Sequence, residues 1–129
     1  MALVLVVDDD PDHRDLLGTY LRAQGYRIEE AKDGLEAVNK TLSLRPDVVV
    51  MDLEMPTLDG WAATSILRHN ARARHIPIIC LSAREGAAER DSALRAGCVS
   101  FLTKPCPPAD VVAEIRRVLG VLPIPLSEA

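Results

Sequence analysis

Short runs of apolar residues alternate along the chain with longer segments in which apolar residues recur every three or four positions. The runs lie at 3–7, 27–31, 47–51, 76–81 and 99–102. Three of them are nearly continuous in Val, Ile or Leu, which is typical of strands covered on both faces of a parallel sheet. The runs therefore predict five strands, of which the one at 27–31 has the weakest pattern.

The segments between these runs predict helices with one apolar face. They cover residues 11–24, 34–44, 60–69, 84–95 and 108–119. The first places Leu16, Leu17, Tyr20 and Leu21 on a single stripe, and Leu35 and Ile66 fall on the corresponding stripes of the next two. The helix at 84–95 offers mostly alanine to the core, so we expect it to be weakly anchored.

Five successive strand–helix units indicate an α/β fold, a doubly wound five-stranded parallel sheet with helices on both faces. The length of 129 residues fits one domain, which we place at 1–122. Residues 123–129 contain two prolines and no periodicity, which indicates a tail or linker stub.

Composition narrows the class of protein further. The net charge of −4 argues against direct nucleic-acid binding, and the apolar runs are too short for a signal peptide or a membrane span. Three cysteines without a C-x-x-C pair argue against a disulfide framework or a zinc site and favour a reducing, cytoplasmic location. The basic segment 68–75 is expected to be a solvated loop, with a docking patch for an acidic partner as the alternative.

Residues whose side chains can bind ligands or take part in a reaction follow four of the predicted strands. Ligands of such sheets bind at the carboxyl ends of the strands, where strand order reverses. The residues at these ends are Asp8, Asp9 and Asp10, then Asp52, then Ser82 and Ala83, and finally Lys104 and Pro105. Asp10 precedes Pro11 and is expected to cap the first helix. The remaining acids would face one another across a cleft.

Clustered carboxylates need a compensating cation. Two of them about 4 Å apart repel by roughly 4 kcal/mol at an effective dielectric near 20. Mg²⁺ suits such oxygen ligands, and Lys104 adds a fixed positive charge. A carboxylate in this setting can attack a phosphoryl donor and become an aspartyl phosphate, with Ser82 and the Ala83 N–H holding the phosphoryl oxygens. The plainer alternative is that each acid only caps a helix or turn.

At these residues the chain resembles the receiver domains of bacterial two-component response regulators, from residue 3 to about 120. The matching pieces are Val6 to Pro11, Met51 to Pro56 with Asp59-Gly60, Leu81-Ser82-Ala83, and Lys104-Pro105. Together, in this order and spacing, they are highly specific. The resemblance implies a flavodoxin-like (βα)5 fold with strand order 2-1-3-4-5.

The resemblance also implies a role for each site residue. Asp52 would be the phosphoacceptor, charged from a phosphohistidine on a sensor histidine kinase or phosphotransfer protein. Mg²⁺, with Mn²⁺ as an alternative, would be bound by Asp8, Asp9, Asp52 and the backbone carbonyl of Glu54. Lys104 and Ala83 would contact the phosphoryl group, Ser82 and Phe101 would form the switch pair, and the Lys104–Pro105 bond would be cis.

Three positions differ from the commoner form of the family pattern. Cys106 stands where a phenylalanine often follows the Lys-Pro pair, and Glu54 and Arg84 lie two residues after Asp52 and Ser82. Because their charges are opposite, we expect Glu54 and Arg84 to form an ion pair over the site that lengthens the phosphorylated lifetime. Two exposed, unpaired side chains are the alternative.

A receiver of this kind is a switch rather than a turnover enzyme. We expect the surface of helix four, strand five and helix five to contact a downstream partner or a missing output domain, or to form a homodimer. Two rival functions remain open, a degenerate receiver used only as a binding module and a Mg²⁺-dependent phosphohydrolase with an Asp nucleophile. The latter normally carries Asp where this chain has Glu54, and it is usually longer.

Overall fold

The computed structural model of the protein describes residues 1–120, so the predicted tail at 123–129 lies outside the described residues. Five strands alternate with five helices. The strands are β1 (Leu3–Val7), β2 (Arg27–Ala31), β3 (Val48–Asp52), β4 (Ile78–Ser82) and β5 (Ser100–Thr103). The helices are α1 (Pro11–Ala23), α2 (Gly34–Leu44), α3 (Gly60–Arg68), α4 (Ala87–Ala96) and α5 (Pro108–Leu119).

The strands form one parallel sheet in the order β2-β1-β3-β4-β5, which confirms the predicted architecture. The chain moves from β1 to β2 on one side and then crosses to β3 on the other, so strand order reverses between β1 and β3. Val7 of β1 is in register with Met51 of β3, and Asp52 is in register with Leu81 of β4. The carboxyl ends of these strands therefore meet at one edge of the sheet.

Alternate strand residues enter two hydrophobic clusters, one on each face of the sheet. Leu5 and Val7 lie in one cluster, whereas Val4 and Val6 lie in the other. All residues of β3 and β4 are buried, as their continuous apolar sequences predict. None of the helices in residues 1–120 is long and apolar enough to cross a membrane.

Side chains and backbone geometry set the helix ends close to the predicted positions. Asp10, Asp33 and Asp59 each accept a hydrogen bond from a backbone N–H in the first turn of α1, α2 and α3, at 2.8–2.9 Å. The largest shift is in α4, which begins at Ala87 rather than residue 84, after Gly86 with a φ of 114°. A residue with a side chain rarely adopts this φ.

Four predicted core positions are wrong. Leu16, Tyr20, Leu35 and Ile66 are 63%, 36%, 58% and 45% exposed, although each falls on the apolar stripe of its helix. Leu21 and Leu67, by contrast, are fully buried in α1 and α3. Periodicity identifies residues that share a helix face, but it does not show how much of that face the sheet covers.

The expectation against disulfides is also wrong for one pair of cysteines. Cys80 of β4 and Cys98, two residues before β5, form a disulfide with their Cα atoms 6.2 Å apart. Both lie in the hydrophobic core. Their sequence separation of 18 residues hides the contact, which arises because β4 and β5 are neighbours in the sheet.

Arg68 departs from the predicted solvated loop as well. Its guanidinium donates to the carbonyl of Gly97 at 2.7 Å and to the carbonyls of Arg74 and Ile76. Arg72 and Arg74 are exposed as expected. Arg68 therefore links the end of α3 to the segment before β4 and to the turn before β5.

Gly60 is a position where the approach of the backbone to the site requires glycine. A Cβ atom there would lie 2.5 Å from the carbonyl oxygen of Asp52 and 2.7 Å from the Cα of Leu53. We expect Gly60→Ala to lower the free energy of unfolding by about 1–3 kcal/mol, because backbone atoms must shift. Urea denaturation followed by circular dichroism measures this change.

Gly18→Ala is the matched control. Gly18 is buried in α1, but the nearest atoms to an added Cβ lie at 3.6 Å, an ordinary contact distance. We expect this variant to gain roughly 0.5–1 kcal/mol from helix propensity. Equal effects of the two substitutions would contradict the packing argument.

Candidate functional site

The ends of β1 and β3 bring three carboxylates together. Oxygen atoms of Asp8, Asp9 and Asp52 all lie within 4.8 Å of one another. Asp8 and Asp52 are buried, whereas Asp9 is exposed to solvent. These hard oxygen donors, open on one side to water, suit a divalent cation such as Mg²⁺.

The loop after β1 fixes the position of Asp8. Its Oδ1 accepts a hydrogen bond from the backbone N–H of Asp10 at 2.9 Å. Arg14 donates to the backbone carbonyl of Asp8 at 2.8 Å and to the carboxylate of Glu30 at 2.9 Å. His13, which sequence reasoning missed, places its Nδ1 3.9 Å from the Asp8 carboxylate. Asp10 caps α1, as expected.

Asp52 is the most deeply buried acid of the group, at 2% exposed. Its Oδ1 lies 3.1 Å from the Lys104 ammonium and accepts the backbone N–H of Glu54, also at 3.1 Å. Burial raises the pKa of Asp52 to about 6, although Lys104 opposes this shift, and nearby Asp8 adds to it. The carboxylate is therefore ionised at neutral pH but is held at an energetic cost.

The end of β5 carries the compensating cation. The backbone N–H of Lys104 donates a hydrogen bond to the backbone carbonyl of Ser82 at 2.7 Å, which joins the end of β5 to that of β4. The Lys104–Pro105 bond is cis, the isomer that the family resemblance implies. Phe101 lies inside the core on β5, with 7% of its surface exposed. Cys106 packs against the hydrophobic cluster beneath α5.

Ser82 and Ala83 both contact the side chain of Glu54. The Ser82 hydroxyl donates to Glu54 Oε2 at 2.7 Å, and the Ala83 N–H donates to Oε1 at 2.7 Å. Ser82 Oγ in turn accepts the backbone N–H of Arg84 at 3.0 Å. Sequence reasoning did not foresee that a carboxylate engages these two donors.

The expected ion pair between Glu54 and Arg84 is not formed among the residues that the structure describes. Glu54 binds Ser82 and Ala83 instead, and the Arg84 guanidinium lies over the ring of Trp61, 5.7 Å from its centroid. Both residues line a cavity of about 300 Å³ that also includes Trp61. Their opposite charges indicated an attraction, but better-placed donors and an aromatic face supply other partners.

A second cavity, of about 400 Å³, adjoins the acids on the side of α1 and α5. Asp8 and Lys104 form its polar edge, whereas exposed Leu16 and partly buried Cys106 contribute apolar surface. Leu16 lies on the part of the apolar stripe of α1 that the sheet does not cover. This residue could have indicated the cavity, because an uncovered apolar side chain lines a groove or is exposed to solvent.

The raised pKa of Asp52 predicts a pH dependence of stability in the metal-free protein. From about pH 4 to 6 the unfolded state loses the Asp52 proton before the folded state does, so stability falls as pH rises. We expect the Asp52→Asn variant not to show this fall. The free energy of unfolding of the variant minus that of wild type should therefore increase from pH 4 to pH 7, by about 3 kcal/mol at most.

Urea denaturation of both proteins in chelator, at intervals from pH 4 to 7, measures the difference. Other acids titrate in both proteins, so only the gap between the two curves reports on Asp52. Parallel curves would show that burial does not disfavour the ionised carboxylate.

The chain was compared with protein families and with known relatives. The family model described as "Response regulator receiver domain" matches residues 4–116. The transcriptional regulatory protein PrrA of Mycobacterium leprae is 40% identical over 116 residues, which are 90% of this chain and 49% of that protein. The DNA-binding dual master transcriptional regulator RpaA of Synechocystis is 31% identical, with 92% and 49% covered. The chain spans about half the length of these curated relatives.

Solved structures agree with this assignment. The chemotaxis protein CheY4 of Vibrio cholerae has a TM-score of 0.86 and 30% identity, covering 92% of this chain and 98% of that one. The receiver domain of the sensor histidine kinase PA1611 of Pseudomonas aeruginosa, with magnesium in its active-site cleft, has a TM-score of 0.85, 34% identity and the same coverage. The chain belongs to the response regulator receiver domain family, whose general function is to be phosphorylated by histidine kinases.

Proposed function

We propose that Asp52 is the phosphoacceptor of this receiver domain and takes its phosphoryl group from a phosphohistidine of a sensor histidine kinase or phosphotransfer protein. One observation carries the proposal. The buried carboxylate of Asp52 lies within 4.8 Å of two other acids and 3.1 Å from the ammonium of Lys104. No other acid in residues 1–120 combines an acidic cluster with a contacting lysine.

The metal site of the proposal consists of Asp8, Asp9 and Asp52 with the backbone carbonyl of Glu54. The three clustered carboxylates support this choice, as does the magnesium ion named for the PA1611 receiver domain. Mn²⁺ is an alternative, because it takes similar oxygen ligands. When bound, the cation supplies positive charge that neutralises the acids and the transferring oxygens.

The residues of the chain have separate parts in the transfer. A pKa of about 6 leaves Asp52 ionised at neutral pH, so its oxygen can attack phosphorus. An oxygen–phosphorus bond forms, the phosphorus–nitrogen bond of the donor breaks, and the donor imidazole takes up a proton. Lys104 contacts the negative charge that develops on the transferring phosphoryl group. The Ser82 hydroxyl and the Ala83 N–H donate hydrogen bonds to the phosphoryl oxygens.

The output of the proposed switch passes through Ser82 and Phe101 to the surface of α4, β5 and α5. Weak anchoring of α4 supports this route, because Ala93 is the only buried residue of that helix. The partner is a downstream protein, an output domain in the same polypeptide or a second copy of the chain. With a net charge of −4, the domain itself is not proposed to bind nucleic acid.

The proposal describes a switch and not a turnover enzyme. It places the domain in the cytoplasm, because the proposed histidine kinase obtains its phosphoryl group from ATP in that compartment. The binding-module alternative is weakened by the complete set of Asp9, Asp52, Ser82 and Lys104. The phosphohydrolase alternative is weakened by Glu54, because its carboxylate contacts Ser82 and Ala83 rather than standing free to act as a general acid.

Intact mass spectrometry tests the proposal directly. The protein is incubated with acetyl phosphate in the presence and absence of Mg²⁺, beside Asp52→Asn. We expect one phosphoryl adduct that requires Mg²⁺ and is absent from the variant, because among residues 1–120 only Asp52 combines a clustered carboxylate with a contacting lysine. Addition of p-nitrophenyl phosphate to a parallel sample should give no steady turnover.

Each contrary outcome selects an alternative. No adduct on the folded wild-type protein favours the binding module, and sustained release of p-nitrophenol favours the phosphohydrolase. An adduct that persists in Asp52→Asn would show that another residue is the acceptor.

Arg84 provides a test of lifetime tuning. Its guanidinium lies over the ring of Trp61 and lines the cavity beside Glu54, and we propose that it shields the phosphoryl group on Asp52 from attacking water. We expect Arg84→Ala to lose the adduct about two to five times faster, the change that corresponds to the 0.5–1 kcal/mol of an exposed cation–π contact. Arg90→Ala, an exposed charge on α4, is the control. Equal decay of all three proteins would exclude a role for Arg84 in lifetime.

A further inference from the structure

The two donors that the proposed function assigns to the phosphoryl group already have an anionic partner. Glu54 presents one carboxylate oxygen to the Ser82 hydroxyl and the other to the Ala83 N–H, both at 2.7 Å. Such charge-assisted bonds are stronger than neutral ones. The side chain of Glu54 therefore occupies the cradle, as we name the pair of donors from Ser82 and Ala83.

Occupation of the cradle by Glu54 excludes its use by a phosphoryl group. Ser82 has one hydroxyl hydrogen and Ala83 has one N–H, so neither can donate fully to two acceptors at once. A phosphoryl group on Asp52 also carries a charge of about −1.5 to −2, which repels a neighbouring carboxylate. The two anions therefore compete for one site.

We propose that Glu54 is an intramolecular stand-in for the phosphoryl oxygens, which keeps the cradle occupied until phosphorylation displaces it. This inference rests on the proposed function of Asp52. Glu54 acts as a positioning residue, because its side chain controls the donors and takes no part in bond making or breaking. Its carboxylate sets a barrier against phosphorylation, because it must leave the cradle before phosphoryl oxygens can bind there.

A place for the displaced side chain adjoins the cradle. Glu54 also lines the cavity of about 300 Å³ that includes Arg84 and Trp61. The backbone of Glu54 is held by its N–H bond to Asp52, so the side chain can leave the cradle by rotation alone. The cavity offers the displaced carboxylate space beside the cradle.

Glu54→Asp separates the contact from the charge. Aspartate keeps the negative charge but is one methylene shorter, so it cannot reach both donors. We expect phosphorylation by acetyl phosphate to become roughly three- to tenfold faster, in line with the net strength of one typical hydrogen bond. Glu54→Ala should accelerate the reaction at least as much. Glu85→Asp, the same shortening on an exposed acid of the adjacent loop, is the control and should react like wild type.

The experiment has two readouts on the full chain. Amide hydrogen exchange by NMR, without any phosphodonor, reports whether the Ala83 N–H is protected in wild type and Glu85→Asp and exposed in both Glu54 variants. Initial rates of adduct formation with Mg²⁺ and acetyl phosphate, measured by intact mass, report whether the contact restrains phosphorylation.

The outcomes distinguish the stand-in from the proposed function. Loss of Ala83 protection together with faster adduct formation in Glu54→Asp supports the stand-in. Unchanged protection, or equal initial rates in wild type and Glu54→Asp, overturns it while Asp52 remains the acceptor. Acceleration in Glu54→Ala alone assigns the effect to charge and also overturns it. Absence of an adduct from every protein overturns the proposed function and the stand-in with it.

Discussion

The concentration of negative charge at the ends of β1 and β3 is the constraint on which the rest of the structure depends. Parallel pairing puts Val7 beside Met51, so the acids that follow both strands must lie close together. Burial disfavours the ionised carboxylate of Asp52 and raises its pKa, and the nearby charge of Asp8 adds to the rise. Lys104 offsets only part of it. The carboxylates of the metal-free site therefore lower the stability of the fold, and they are retained because they provide the groups that the site needs.

The loops around the site are held by hydrogen bonds and by apolar packing. The backbone N–H of Lys104 binds the carbonyl of Ser82, which joins the end of β5 to that of β4. Leu53 and Met55, which follow Asp52, are buried in the core. The Asp59 cap and the close approach of Gly60 to the Asp52 carbonyl position the start of α3 beside this segment. The side chains of the site therefore project from a backbone that packing and hydrogen bonds hold in place.

Much of the fold and the membership of the site could be predicted from the sequence, because both depend on order along the chain. Strand ends identify Asp52, Ser82 and Lys104 without knowledge of any contact. The Cys80–Cys98 disulfide was not predicted, although the expected strand order places β4 beside β5, because the number and spacing of the cysteines do not show which two thiols come into contact. The partners of Glu54 escaped prediction for a related reason. Opposite charge suggested Arg84, but hydrogen-bond geometry favours two donors at the end of β4.

The cradle lies at the start of the connection to α4, the helix that moves in the proposed switch. Ser82 is the last residue of β4, and only four residues separate it from the first residue of α4. The Arg84 N–H binds Ser82 Oγ, so a change of partner at the hydroxyl is felt directly in this connection. Gly86 permits a backbone turn before a helix that buries a single residue. A ligand shifts a two-state equilibrium only by its differential affinity for the two states. In the proposed switch, exchange of a carboxylate for a more highly charged phosphoryl group at the same donors would provide that difference at the point where α4 is attached.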